Sequence, residues 1–472
     1  MHIREKFVLF FYTLFNAVSN QFMHFYSDEN YYWLWSKKLD FSYFDHPPMV
    51  AYIIKATTLF SDEAFFVRLG AVFMVSASAY LLYTLAKKMF DERTALYTFY
   101  IYISSIIVIA ASTLMTPDIP LMFFTTLLLY SAYRYLDEDN KKFALLTGFA
   151  AGAMMLSKYT GILIIFTLLV YIILYKRQVL KDKYFYAALA IATILFSPVL
   201  YWNYLNDFIS FTFQLEHGMS EEKVLKPDEF FKFFAAQFAL FHPLYLLPLL
   251  YFIFKDKDRF SQKKVYLLLP FLFTLAFFSY HSAFKYANAQ WAGPAYLSAA
   301  ILLGYYLAKY EYKKLLFIAL SLSMFILIAL KTPLGAMYLK PIQKVHARLG
   351  KINHFDAEIK ALNLDIDSYD YILIDDYHGS EVPYYFKKYN NILVLNTARF
   401  SNFNIWRRKD LGIEMQSPIK SIPSLGKCIY IGRSEYHYKE ISKLFGNEKL
   451  LAHRYKKVLN KELNYYFVEY VN

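Results

Sequence analysis

Long apolar stretches, interrupted by short charged turns, dominate residues 1–330, and this pattern changes abruptly afterwards. A membrane-crossing helix needs about 20 predominantly apolar residues. On that measure the segments 7–23, 68–86, 95–112, 119–136, 143–157, 159–175, 184–203, 231–254, 265–280, 292–308 and 315–330 predict eleven spans, and at most thirteen. Beyond 330 the apolar runs are short, at Tyr371–Ile374, Ile392–Leu395, Cys428–Ile431 and Tyr465–Val471, and read as strands. Helical patterns at Glu381–Lys388 and Tyr436–Phe445 separate some of them. The expectation is an α-helical polytopic membrane domain over 1–330, with a long first loop at 24–67, followed by a small α/β domain over 331–472.

Charge supports that division and adds a direction. Asp, Glu, Lys and Arg make up about 16% of residues 1–330 and about 26% of residues 331–472, the latter near the quarter usual for soluble domains. Basic residues crowd alternate turns: Lys87, Lys88 and Arg93, then Arg134, Lys141 and Lys142, then Lys176, Arg177, Lys181 and Lys183. The series continues through Lys255–Lys264 and Lys309–Lys314. The intervening loops carry only Lys37, Lys38, Lys55, Lys158, Lys223, Lys226 and Lys285. By the positive-inside rule the basic turns are cytoplasmic, and eleven spans then put 331–472 outside. Much of the net charge of +13 is placed at membrane edges, so no nucleic-acid partner is invoked. The single Cys428 excludes an internal disulfide framework and a Cys-rich metal site. Asn16, Asn20 and Gln21 end the first apolar stretch without a small-residue cleavage pattern, so it reads as a retained span.

Candidate chemistry gathers at the outer ends. Asp28 and Glu29 follow the first span, and an aromatic run with Tyr31 and Tyr32 leads on to Asp45-His46-Pro47-Pro48. An interfacial amphipathic helix would also have this composition. Asp118, in Met115-Thr116-Pro117-Asp118-Ile119-Pro120, is either a helix cap or a carboxylate facing a wet site. Lys158 and Arg68 serve equally as membrane-edge anchors or as partners of an anionic phosphate. The loop His281–Pro294 holds Lys285, Gln290 and Trp291, suited to phosphate and sugar hydroxyls or to capping a span. Carboxylates that position a nucleophile, cations that take up charge on a departing phosphate, and aromatic faces suit sugar transfer from a lipid phosphate. Composition alone suits a lipid or glycan transporter as well. However, the span middles are nearly free of ionisable residues, which a flippase-like protein would want there.

At Asp28-Glu29-Asn30-Tyr31-Tyr32-Trp33 and Tyr43-Phe44-Asp45-His46-Pro47-Pro48 the chain resembles the bacterial polyprenol-phosphate-sugar glycosyltransferases of the GT-C fold. These are relatives of the dolichyl-phosphate-mannose–protein mannosyltransferases and of the lipid A aminoarabinose transferase. The resemblance continues at Phe66-Val67-Arg68-Leu69, Thr116-Pro117-Asp118, Ser157-Lys158-Tyr159 and Gln290–Pro294, and reaches Gly379-Ser380-Glu381 and Arg399–Trp406. It implies an inverting transfer at the outer face of the bacterial inner membrane, from a polyprenyl-phosphate sugar to an envelope glycolipid, glycan or protein. Asp28 then matches the essential first-loop acid with Glu29 beside it, and Asp118 the second acid. Asp45 and His46 match a Glu-Lys pair near the lipid phosphate, where His46 is a weaker, titratable cation. His46, Arg68, Lys158 and Lys285 are the candidates for that phosphate. Tyr31, Tyr32, Asp45, Gln290 and Trp291 are the candidates for sugar or acceptor. No cofactor is required by the pattern; a divalent cation is compatible with the fold, with Asp45 its candidate ligand.

Overall fold

A computed structural model describes residues 1–218, 224–348, 351–394, 399–411, 426–443, 447–458 and 461–471. Lys223, Leu395 and Phe445 lie outside them. The chain divides into two compact units, neither continuous in sequence. Unit 1 comprises residues 1–20, 46–53 and 68–328; unit 2 comprises 21–45, 54–67 and 329–472.

Unit 1 is helical throughout its described regular structure. Each of the eleven apolar segments falls largely on helix, but breaks, short helices and polar residues leave few helices both long and apolar enough to span alone. Among the described residues four are, by length and composition: Ala64–Met89, Lys183–Leu205, Gln262–Ser282 and Lys313–Lys331. The segment 95–112 is divided at Ser105 into Glu92–Ser104 and Ile106–Ala111. The segment 231–254 bends by 101° between Pro227–Phe241 and Pro243–Lys255, a fifth span if taken as one. His242 makes this bend with φ +125°, and its Nδ1 accepts the Leu244 N–H at 3.1 Å, capping the second half. Proline at 243 removes an amide the turn would have left unpaired.

Helix packing in unit 1 relies on small residues. Gly148 and Gly152 share one face of the helix Lys142–Ser157, against Ala188, Ala192 and Leu195 of Lys183–Leu205. A Cβ at Gly148 would enter the Ala188 backbone, and one at Gly152 would lie 2.8 Å from the Leu195 Cβ. Without a hydrophobic drive between helices in lipid, such close backbone approach and its dispersion contacts supply the attraction.

Unit 2 is built on a five-stranded mixed sheet: β1 (Tyr371–Ile374), β2 (Ile392–Val394), β3 (Lys427–Gly432), β4 (Asn447–Val458) and β5 (Lys461–Val471). The order is β2-β1-β3-β5-β4. β1 runs parallel to β2 and β3, with Ile372 opposite Ile392 and Ile429, while β3–β5 and β5–β4 are antiparallel. One core packs Leu373, Leu393, Tyr430, Ile441 and Val468, and includes Cys428, which is fully buried. The helical patterns shorten to Glu381–Tyr385 and Glu435–Ser442. The first-loop helix Ser27–Lys37 belongs to this unit.

Candidate active site

Asp28 sits half-buried in the first turn of Ser27–Lys37. The start of this helix is fixed by Glu29, whose Oε2 accepts the Tyr26 N–H at 3.1 Å, one arm of a capping box. Glu29 is fully buried, so its carboxylate serves the turn that holds Asp28. Burial pushes the Asp28 carboxyl up to about 6, and the neighbouring charge of Asp45 adds to this while His378 and Arg399 oppose it. The carboxyl therefore titrates close to physiological pH, as a general base requires.

Around Asp28, unit 2 joins the first loop to the ends of the parallel strands. Asp45 is buried and ion-paired with Arg399. Burial raises the Asp45 carboxyl, and the guanidinium works against that rise. Arg399 also lies 5.0 Å from the centre of the Tyr377 ring. Tyr377 and His378 follow β1, and Asp376 accepts the His378 N–H at 2.9 Å. The carboxyl ends of parallel strands are a common place for ligand-binding groups. The helix Asn402–Leu411 closes the cluster: the Asn402 N–H donates to the Tyr31 hydroxyl at 2.7 Å, and the Phe44 N–H donates to Asn402 Oδ1 at 3.0 Å. Tyr31 stacks on Phe403 with centroids 5.9 Å apart, and Tyr32 meets Trp35 edge-on at 5.0 Å. Both tyrosines are buried, so their rings pack the helix into unit 2 and present little open face to a sugar.

Unit 1 holds a second group. Asp118 begins the helix Asp118–Leu136, and Lys158 ends Lys142–Ser157 in extended backbone. Lys158 Nζ donates to Asp118 Oδ1 at 2.7 Å and lies 5.7 Å from the Trp291 ring centre. The helix N-terminus favours the carboxylate and the aromatic face favours the ammonium. Trp291 and the exposed Gln290 share a single helical turn at Ala289–Ala292. Lys285 donates to the Glu216 carbonyl. Arg68 is fully buried and donates to the Asn20 carbonyl at 2.8 Å, and the Asn20 amide donates to the Ser112 carbonyl at 2.7 Å. His46 is partly exposed.

Within unit 2, therefore, Asp28, Glu29, Tyr31, Tyr32 and Asp45 come together; within unit 1, Asp118, Lys158 and Trp291 do. Arg399, Tyr377 and His378 were not among the candidate residues. Arg399 opens one of the motifs that carry the family resemblance, and an arginine among aromatics was the available signal. Among the described residues no group of three or more His, Cys, Asp or Glu side chains is arranged to hold a metal ion.

Comparison with known proteins extends this picture. Residues 45–202 match the family model described as dolichyl-phosphate-mannose-protein mannosyltransferase. A curated relative, the lipid A galacturonosyltransferase RgtD of Rhizobium johnstonii, is 26% identical over 300 residues. That match covers 62% of this chain and 63% of RgtD, less than two thirds of the relative's length. The fold matches that of ArnT from Cupriavidus metallidurans in its apo state with a TM-score of 0.71 at 13% identity, covering 97% of this chain and 96% of ArnT. The undecaprenyl phosphate-bound form of the same protein matches with TM-score 0.71 at 14% identity, covering 98% of both chains. The chain thus has the fold of ArnT, and over residues 45–202 its sequence is similar to the dolichyl-phosphate-mannose-protein mannosyltransferase family.

Proposed function

We propose that this chain is an inverting glycosyltransferase that moves a sugar from a polyprenyl-phosphate donor to an envelope acceptor of the lipid A type. The observation that carries the reading is Asp28: a half-buried carboxyl held near pH 6 by burial, on a capped helix start and beside the Asp45–Arg399 pair. Ionised Asp28 orients an acceptor hydroxyl and takes its proton as the oxygen attacks the anomeric carbon. The bond from that carbon to the phosphate oxygen breaks on the opposite side, and the polyprenyl phosphate leaves with the bonding pair. A phosphate acceptor is already anionic, and Asp28 then only positions it. In unit 1, Lys158 is the residue we assign to the donor phosphate, with Asp118 setting its orientation and Trp291 flanking the ammonium. Lys285 and His46 are secondary candidates. Arg68, fully enclosed in its network with Asn20, supports the helix ends. The reading includes eleven spans with cytoplasmic basic turns, which sets the chemistry at the outer face.

The test is mass spectrometry of envelope lipids, glycans and proteins from a deletion strain, complemented with wild type or Asp28→Asn. Loss of one sugar from one acceptor, restored by wild type alone, is the expected result. Restoration by Asp28→Asn at equal expression would overturn the assignment.

A further inference from the structure

Unit 2 contains a cavity of about 500 Å³ whose walls come from three separate stretches of chain. Lys38 and Asp40 line it just beyond the helix Ser27–Lys37, Asn390 and Asn391 line it from the turn before β2, and Trp406 and Lys409 from the helix Asn402–Leu411. Lys38 and Asp28 are ten residues apart along that first-loop stretch, about 15 Å at the helical rise, so the cavity is separate from the Asp28 carboxyl.

Lys38 Nζ lies 5.4 Å from the Trp406 ring centre, which fixes its ammonium against an aromatic face. Trp406 and Lys409 stand three residues apart on one helix, so they share a face. Asn391 is held at φ +56°, a conformation asparagine tolerates better than most side chains, and its carbonyl accepts the Ile372 N–H at 2.9 Å. The turn carrying both amides is thereby tied to the sheet. Lys409 pairs with Asp40 in a partly exposed ion pair. Such a pair is a weak competitor for an incoming anion, and on exchange Asp40 is left to accept a hydroxyl.

We propose that this cavity is an acceptor subsite for an anionic saccharide, one bearing a carboxylate or a phosphate. Lys38 and Lys409 take the anionic group, and the Asn390 and Asn391 amides and Asp40 take ring hydroxyls. Lys38 is a cation on the side where the positive-inside pattern disfavours one, and this role accounts for it. The word acceptor rests on the glycosyltransferase reading; the binding itself does not.

The experiment titrates the full chain in detergent with D-glucuronic acid, glucosamine 1-phosphate and D-glucose, reading Kd by calorimetry. Expected is at least tenfold tighter binding of one or both anionic sugars than of glucose, and which one binds identifies the anionic group. Lys38→Gln and Lys409→Gln should each weaken that binding about tenfold, and exposed Asn390→Ala several-fold. Asp28→Asn should leave it unchanged. Equal binding of glucose, or insensitivity to all three cavity substitutions, overturns the proposal. Binding lost in Asp28→Asn and kept in the lysine variants overturns it too, by placing the ligand at Asp28. Should Asp28→Asn retain sugar transfer, the catalytic reading fails while the binding result stands.

Discussion

Lys158 Nζ and Asp118 Oδ1 lie 2.7 Å apart, and their side chains are only 7% and 17% exposed. A pair so enclosed has consequences in both directions. Removing one partner strands the other charge, at a cost of about 3 kcal/mol. Asp118→Asn and Lys158→Met should each lower the melting temperature of the detergent-purified protein and abolish most transfer. The double variant should regain stability, with a coupling of about 1–3 kcal/mol, yet stay inactive. Recovery of activity together with stability would make the pair structural only.

Asp28 carries an opposite signature. Its folded-state carboxyl titrates near 6, above the ordinary aspartate value, so the folded protein binds the proton more tightly than the unfolded chain. The stabilising contribution is full below the ordinary value and is lost as pH rises through about 6. Asp28→Asn should therefore melt at a higher temperature than wild type at pH 8 while losing transfer at least a hundredfold. With a hydroxyl acceptor, wild-type kcat/KM should fall below pH 6 along a single-proton limb. A flat profile from pH 5 to 8 would remove the general base.

Arg399 links stability and titration within unit 2. Arg399→Gln leaves buried Asp45 without the guanidinium that offsets its burial, and a loss of about 2 kcal/mol is expected. The same change removes a positive charge that lowers Asp28, so the acid limb should move to higher pH. Arg399→Lys should restore the limb's position better than it restores stability, because a lysine keeps the charge and loses the planar fork. An unmoved limb in Arg399→Gln would separate Arg399 from Asp28.

The helix pair in unit 1 offers a test free of catalysis. Gly148→Val inserts side-chain volume where the Ala188 backbone already sits, and should cost about 1–3 kcal/mol in thermal unfolding. Leu145→Val, at an exposed position of the same helix, should be near neutral. Equal effects would argue against the close contact.

The sequence made the helices legible because charged turns punctuate apolar runs, and every apolar segment between such turns is helical. Breaks were harder to see. Pro243 marks the bend after His242, but nothing at Ser105 distinguishes it from its neighbours. β4 was missed because Asn447–Val458 is polar on both faces, a basic edge strand with no alternation to read. At the site, Asp28 stood out in the sequence by its place after the first apolar stretch, whereas the Arg399–Asp45 pair joins positions 354 residues apart and no local pattern announces it. Tyr31 and Tyr32 illustrate the converse: aromatics that suit sugar stacking by composition are spent on packing.

The discontinuity of unit 2 bears on how the protein is made. The Asn402 amide that meets the Tyr31 hydroxyl is 371 residues downstream of it. While the ribosome works through the helices of unit 1, the aromatic side of Ser27–Lys37 waits without Phe403 and Tyr377. An early-made apolar surface kept open through most of translation is a natural client for a chaperone. A chain stopped near residue 330 would present it permanently, and is expected to be degraded even though every helix of unit 1 has already been made.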